Sequence, residues 1–238
     1  MINFQDAAKS VAGVSLDRDQ IRTFESYLEF LLEWNQRINL TAITDRDEIW
    51  VKHFLDSLSC LKVIPSRREL RVIDVGTGAG FPGIPLKIAV PEIRLTLVEA
   101  AGKKAEFCKL LAGHLQLSGV RILHARAEEA GCDPEHREQY DLAVARAVAG
   151  LPVLAEYLLP LIKVGGRALA QKGESGPEEA QAAAGALQLL GGKLEKIVPV
   201  EYACITEKRF LILMEKQTAT PAKYPRRAGA PSKKPLSG

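Results

Sequence analysis

The stretch Val72-Ile73-Asp74-Val75-Gly76-Thr77-Gly78-Ala79-Gly80-Phe81-Pro82-Gly83 decides how this chain folds. Val72, Ile73 and Val75 read as a buried strand, three alternate glycines turn the chain, and Pro82 opens a helix behind the turn. A glycine turn between strand and helix lets backbone approach a ligand where a Cβ would clash, and it aims free N–H groups inward. Gly78-Ala79-Gly80-Phe81-Pro82-Gly83 also satisfies the dinucleotide pattern G-x-G-x-x-G. Asp74 argues for a different ligand. A carboxylate at the carboxyl end of the strand repels a pyrophosphate but lowers the desolvation cost of a sulfonium or ammonium cation. The expected ligand is therefore S-adenosylmethionine, held around Asp74, Gly76, Gly78 and Gly80.

Outward from this turn, short apolar runs alternate with helical segments, which predicts an α/β, Rossmann-like fold with a mostly parallel sheet and helices on both faces. Strands are expected at 71–75, 94–98, 120–124, 141–145 and 166–171, with helices at 82–90, 101–117, 151–162 and 177–190. Two late strands, 193–203 and 208–215, have no helix between them and predict an antiparallel edge hairpin, giving seven strands in all. The second strand ends at Glu99, whose two acceptor oxygens can take hydrogen bonds from both ribose hydroxyls of an adenosine. Glu128, after the third strand, stands where it could accept from the adenine amino group. Arg146, after the fourth, could hold the methionyl carboxylate or an RNA phosphate.

Both ends of the chain differ from this core. Apolar residues Ile21, Phe24, Leu28, Leu31 and Leu32 recur at helical spacing from Asp17, a plausible N-cap, to about Leu40. A second stripe, Ile49, Phe54, Leu55, Leu58 and Leu61, runs from Asp47 to Leu61, so residues 1–65 read as a helical cap and 66–216 as the sheet domain. Trp34 and Trp50 fall within these helices and are assigned to packing. Residues 217–238, rich in Pro, Gly, Lys and Arg, lean towards an extended or disordered basic tail. The chain has a net charge of +3 and no acid after Glu215, so its basic character lies in that tail rather than over the fold. Four cysteines and four scattered histidines show no metal-ligand spacing, so no metal site is expected. Without a secretory start or an apolar run long enough to span a bilayer, a cytoplasmic chain away from membranes is expected.

The continuation Phe81-Pro82-Gly83-Ile84-Pro85-Leu86 after Asp74-Val75-Gly76-Thr77-Gly78-Ala79-Gly80 resembles the ribosomal RNA small subunit methyltransferase G family. So do Asn39-Leu40-Thr41-Ala42-Ile43, His53-Phe54-Leu55-Asp56-Ser57-Leu58, Val98-Glu99-Ala100 with Lys103-Lys104, Arg126-Ala127-Glu128, Ala145-Arg146-Ala147-Val148-Ala149, Lys172-Gly173 and the ending Tyr224 to Pro231. The resemblance implies a class I methyltransferase fold and transfer from S-adenosylmethionine to N7 of a guanine in the decoding region of bacterial 16S rRNA. It also implies cofactor contacts at Gly76, Phe81, Glu99, Ala100, Ala101, Ala127, Glu128 and Arg146.

Guanine N7 already carries an in-plane lone pair, so no catalytic base is expected and in-line placement carries the reaction. N7 lies in the deep major groove of A-form RNA, so the base has to be unpaired or extruded, with exposed aromatics and cations lining the entrance. Candidates are Asn39, His53 and Asp56 on the cap, Arg146 and Lys172 at the sheet edge, and Arg226 and Arg227 in the tail for phosphates. The partner is then 16S rRNA or the small ribosomal subunit, met by a monomer. The residues alone leave open a methyltransferase for a small molecule or protein, a nicotinamide-dependent oxidoreductase, and an RNA-binding module with a vestigial pocket.

Overall fold

Alternation with period two sorts the strand side chains onto two faces of one sheet. Val72, Leu95, Leu97, Leu142 and Val144 enter one buried cluster, while Ile73, Val75, Val98, Ala143 and Ala145 enter the other. The computed structural model describes residues 3–64, 69–202 and 205–237. Pro65 at the expected domain boundary, Ala203 at the end of an expected strand, and Cys204 lie outside them.

The strands are β1 (Arg71–Val75), β2 (Arg94–Glu99), β3 (Val120–His124), β4 (Tyr140–Arg146), β5 (Ile162–Lys172), β6 (Gly192–Tyr202) and β7 (Ile205–Lys216), in sheet order β3-β2-β1-β4-β5-β7-β6. β1 pairs in parallel with β2 on one side and with β4 on the other, so the strand order reverses there and a crevice opens at the carboxyl ends. β7 runs antiparallel to both β5 and β6, which puts the expected hairpin at the sheet edge with its second strand inside. The Rossmann-like, mostly parallel seven-stranded sheet stands as the sequence pattern predicts.

One face is covered by α5 (Gly83–Ala89), α6 (Gly102–His114) and the N-terminal helices. The other carries α7 (Ala127–Cys132), α8 (Leu151–Leu158), α9 (Gly176–Ala182) and α10 (Ala184–Leu189). The single helix expected over 177–190 breaks at Ala183, which nothing in its alanine-rich run signals.

The cap consists of α1 (Phe4–Ala12), α2 (Arg18–Asn35) and a helical stretch made of α3 (Arg46–Ile49), a π-helical segment Trp50–Leu55, α4 (Asp56–Leu58) and a 3-10 turn Ser59–Lys62. Asp17 caps α2 as expected: its carboxylate accepts from the Gln20 N–H (2.8 Å) and the Gln20 side chain accepts from the Asp17 N–H (2.9 Å). Gln20 then donates to the Ile88 carbonyl (2.8 Å) at the end of α5, tying cap to sheet layer. α2 stops at Asn35 rather than Leu40, because the Asn35 amide oxygen accepts from the N–H groups of Leu40 (2.9 Å) and Thr41 (3.0 Å) and folds the chain back. Trp34 packs edge-on to Phe107 of α6 and Trp50 edge-on to Phe54, the packing roles expected of them.

The tail departs from expectation. It has little regular structure beyond α11 (Ala230–Lys233), yet Tyr224, Pro225 and Pro231 are buried. Its attachment is mainly polar, so a reading based on apolar content cannot find it: Arg226 pairs with Glu156, Ser232 Oγ lies 2.8 Å from the Tyr157 hydroxyl, and Thr220 accepts a hydrogen bond from the buried Lys216 ammonium (2.6 Å).

Candidate functional site at the carboxyl edge of the sheet

The glycine turn is held from below, from the side and from above. Below it, Asp74 is fully buried; its Oδ2 accepts from the Thr77 hydroxyl (2.7 Å) and the Gly83 N–H (2.8 Å), while Oδ1 has no hydrogen-bond partner among the described residues. Burial pushes the Asp74 carboxyl up to about 7, against the lowering effect of the Thr77 and Gly83 hydrogen bonds. At the side, Glu99 Oε2 accepts from the Gly78 N–H (2.9 Å) and its Oε1 from the Ala101 N–H (2.8 Å). One carboxylate therefore fixes both the glycine turn and the start of α6, next to exposed Ala100 and Ala101. From above, the Tyr27 hydroxyl donates to the Ala79 carbonyl, and Val148 leans on Gly76.

Positive φ at Gly76, Gly78 and Gly80 requires glycine at all three turn positions. Gly76 has φ +70° and a Cβ on it would lie 2.7 Å from Val148 Cγ2. Gly78 has φ +61°, and a Cβ there would project into open space, the room a ligand would use.

Across the crevice the structure gathers three of the expected substrate residues. Arg146 donates to Asp56 Oδ2 (3.0 Å) and to the Lys52 carbonyl (3.3 Å), and it lies 4.8 Å above the Phe81 ring. His53 stacks on Phe81 with 4.7 Å between ring centroids, its Nε2 2.8 Å from the Thr41 hydroxyl and its Nδ1 3.4 Å from Arg146 Nη2. Burial, reinforced by the Arg146 charge, pushes His53 down to about 4, so the imidazole is neutral. Asp56 is 5% exposed, and Gln171 donates to its carbonyl (2.7 Å), joining the cap to β5.

The remaining expected residues lie outside this hydrogen-bonded cluster. Asn39 is exposed beside this cluster's Thr41. Lys172 pairs with Glu179 (2.6 Å) and donates to the Ala149 carbonyl (2.6 Å), so it braces the loop after β4. Ala127 begins α7, and Glu128, 4% exposed, accepts from the Gly229 N–H (2.8 Å). Arg226 is engaged with Glu156 on α8, whereas Arg227 is exposed.

Tyr27 and Asn35 brace this region but lie in no motif, and Val148 lies inside the Ala145-Arg146-Ala147-Val148-Ala149 stretch without a role of its own there. Tyr27 alone had a signal: it lies on the buried stripe between Phe24 and Leu28, and a buried tyrosine needs a partner for its hydroxyl. Among the described residues no group of His, Cys, Asp or Glu is arranged to hold a metal ion, and no described helix is long and apolar enough to cross a membrane.

Comparison with known proteins places this geometry in context. A family model described as rRNA small subunit methyltransferase G matches residues 20–208. The protein of that name from Alkaliphilus metalliredigens is 50% identical over 226 residues, covering 94% of each chain. Its counterpart from Pelotomaculum thermopropionicum is likewise 50% identical, with 94% of each chain covered. Among solved structures, the 16S rRNA (adenine(1408)-N(1))-methyltransferase from Catenulisporales acidiphilia superposes with TM-score 0.54 at 17% identity, over 65% of this chain and 88% of that one, which speaks to the fold.

Proposed function

The chain belongs to the rRNA small subunit methyltransferase G family, and from that premise we propose that it methylates N7 of a guanine in the decoding region of 16S rRNA, using S-adenosylmethionine. The observation that carries the cofactor reading is Glu99, which grips the Gly78 and Ala101 N–H groups and still has lone pairs for ribose hydroxyls. The residues present fit the group: Asp74 keeps a buried oxygen without a partner among the described residues, suited to a cation, and the Cβ position at Gly78 is open. Asp74, Gly76, Gly78, Gly80 and Phe81 would lie along the methionyl portion, with Glu99, Ala100, Ala101, Ala127 and Glu128 along the adenosine. The bound cofactor supplies an electrophilic methyl group.

The chain's own residues then act by placement. N7 needs no proton removed, and His53 is a neutral, hydrogen-bonded group that suits a positioning role. Well-oriented reactants gain on the order of 7–11 kcal/mol over free ones. Phe81, held between Tyr27 and His53, offers an apolar floor, and Asp56 holds Arg146 at the rim where RNA would enter. Asn39 and Arg227 are exposed groups available to RNA. The enzyme is read as a cytoplasmic monomer acting on 16S rRNA or the small subunit, without a metal.

Mapping N7-methylguanine in 16S rRNA from cells with and without the gene tests the reading. One guanine in the decoding region should lose its N7 methyl group when the gene is absent. An unchanged map would refute the acceptor.

A further inference from the structure

Residues 217–237 return from β7 across the face that carries α7 and α8, and their contacts converge on α7. The Gly229 N–H donates to Glu128 Oε1 (2.8 Å). Pro225 packs so closely on Gly131 that a Cβ there would lie 2.8 Å from the proline Cγ. The Arg137 guanidinium bridges the Gly131 carbonyl (3.0 Å) to the carbonyls of Tyr224 (2.8 Å) and Thr220 (2.7 Å). The segment is latched by Arg226: its Nε (2.9 Å) and backbone N–H (2.7 Å) donate to Glu156 Oε1, and its Nη2 (2.6 Å) donates to Oε2 of the same fully buried carboxylate. A carboxylate buried that deeply is strongly unfavourable unless paired, so the latch favours one docked position of the segment.

We propose that this C-terminal segment is a strap that positions Glu128 for the cofactor, so that affinity for S-adenosylmethionine depends on residues remote from the glycine turn. The proposal rests on the reading of Glu128 as the acceptor for the adenine amino group. One oxygen of Glu128 is fixed by the strap's Gly229 amide, which orients the carboxylate and leaves Oε2 for the ligand. Without the strap this 4% exposed side chain loses its fixed donor, gains room to rotate and becomes hydrated. Arg226 and Gly229 are thus positioning residues. Arg226 is withdrawn from the role of an RNA phosphate contact by its engagement with Glu156.

The test is calorimetric titration of S-adenosylhomocysteine into four proteins: the full chain, a chain ending after Arg227, Glu128→Ala, and the two changes combined. Ending after Arg227 keeps the latch and removes the Gly229 amide. The shortened chain and Glu128→Ala should each bind about tenfold more weakly. The combination should bind no more weakly than Glu128→Ala alone, because both changes cut the same path. Arg226→Lys, which keeps the charge but loses the planar fork, should retain more affinity than Arg226→Ala. Losses that add in the combination, or full affinity in the shortened chain, would overturn the strap proposal. Full affinity in Glu128→Ala would instead remove the reading of Glu128 itself, a separate and recognisable failure that also takes the strap with it.

Discussion

The N-terminal cap packs on one face of the sheet and the C-terminal tail crosses the other, and in each an ion pair with a buried carboxylate joins segments far apart in sequence. In the cap, Asp56 meets Arg146 of β4; in the tail, Arg226 meets Glu156 of α8. What surrounds the two pairs differs. The cap contributes Phe24, Tyr27, Leu28, Leu31, Phe54 and Leu58 to the same buried cluster as the sheet, whereas the tail adds little apolar surface beyond Tyr224, Pro225 and Pro231. Burial of aromatic and aliphatic area holds the cap wherever its stripe faces the core. The tail is held instead by hydrogen bonds to specific partners, Glu156, Glu128 and Arg137 among them.

The largest expected effect separates these modes directly. Phe54→Ala should cost about 3–5 kcal/mol in denaturant unfolding, since its ring is fully buried against Phe24, Tyr27 and Phe81. Tyr224→Ala, at the tail's most buried aromatic, should cost clearly less; an equal loss would make the tail a second apolar element and erase the contrast. Asp56→Ala comes next, at about 3 kcal/mol, because it strands a guanidinium that is only 15% exposed.

Cofactor affinity should also titrate. Asp74, with its carboxyl pushed up to about 7, must ionise to meet an ammonium group, so S-adenosylhomocysteine should bind about tenfold more weakly at pH 6 than at pH 8. The sign for stability is opposite: without cofactor, the raised Asp74 value stabilises the fold fully below the ordinary aspartate range and is lost as pH rises through 7. His53 works the other way. Its value near 4 gives stability that is present above the unfolded 6.5 and lost as pH falls through 4, so His53→Gln should flatten that part of the acid unfolding curve. The smallest effect belongs to exposed Arg227: Arg227→Ala should leave stability within about 0.5 kcal/mol and reduce the salt slope of RNA binding by about 1.

The glycine turn, the strands and the cap helices could be read in the sequence because each has a period or a local motif: alternation in Val72 to Val75, helical spacing from Ile21 to Leu32, and a glycine pattern qualified by Asp74. Glu99 followed from unit spacing, one strand and one helix beyond the turn. The tail's order was not legible, since Pro, Gly and Lys content measures what cannot form a core and says nothing about Arg226 finding Glu156 across 70 residues. For the same reason the sequence does not show that Lys172 pairs with Glu179 and Arg226 with Glu156. Asn35 and Val148 act through loop geometry that exists only after the chain has folded.

Central to the proposed function is a crevice in which Glu99 ties the glycine turn to α6 and would receive an adenosine without phosphate. Calorimetric titration of S-adenosylhomocysteine and NADH into the wild-type chain and Glu99→Ala tests it most directly. S-adenosylhomocysteine should bind the wild type and lose at least about tenfold in affinity with Glu99→Ala, with NADH binding neither. Binding of NADH, or full S-adenosylhomocysteine affinity in Glu99→Ala, would contradict the account.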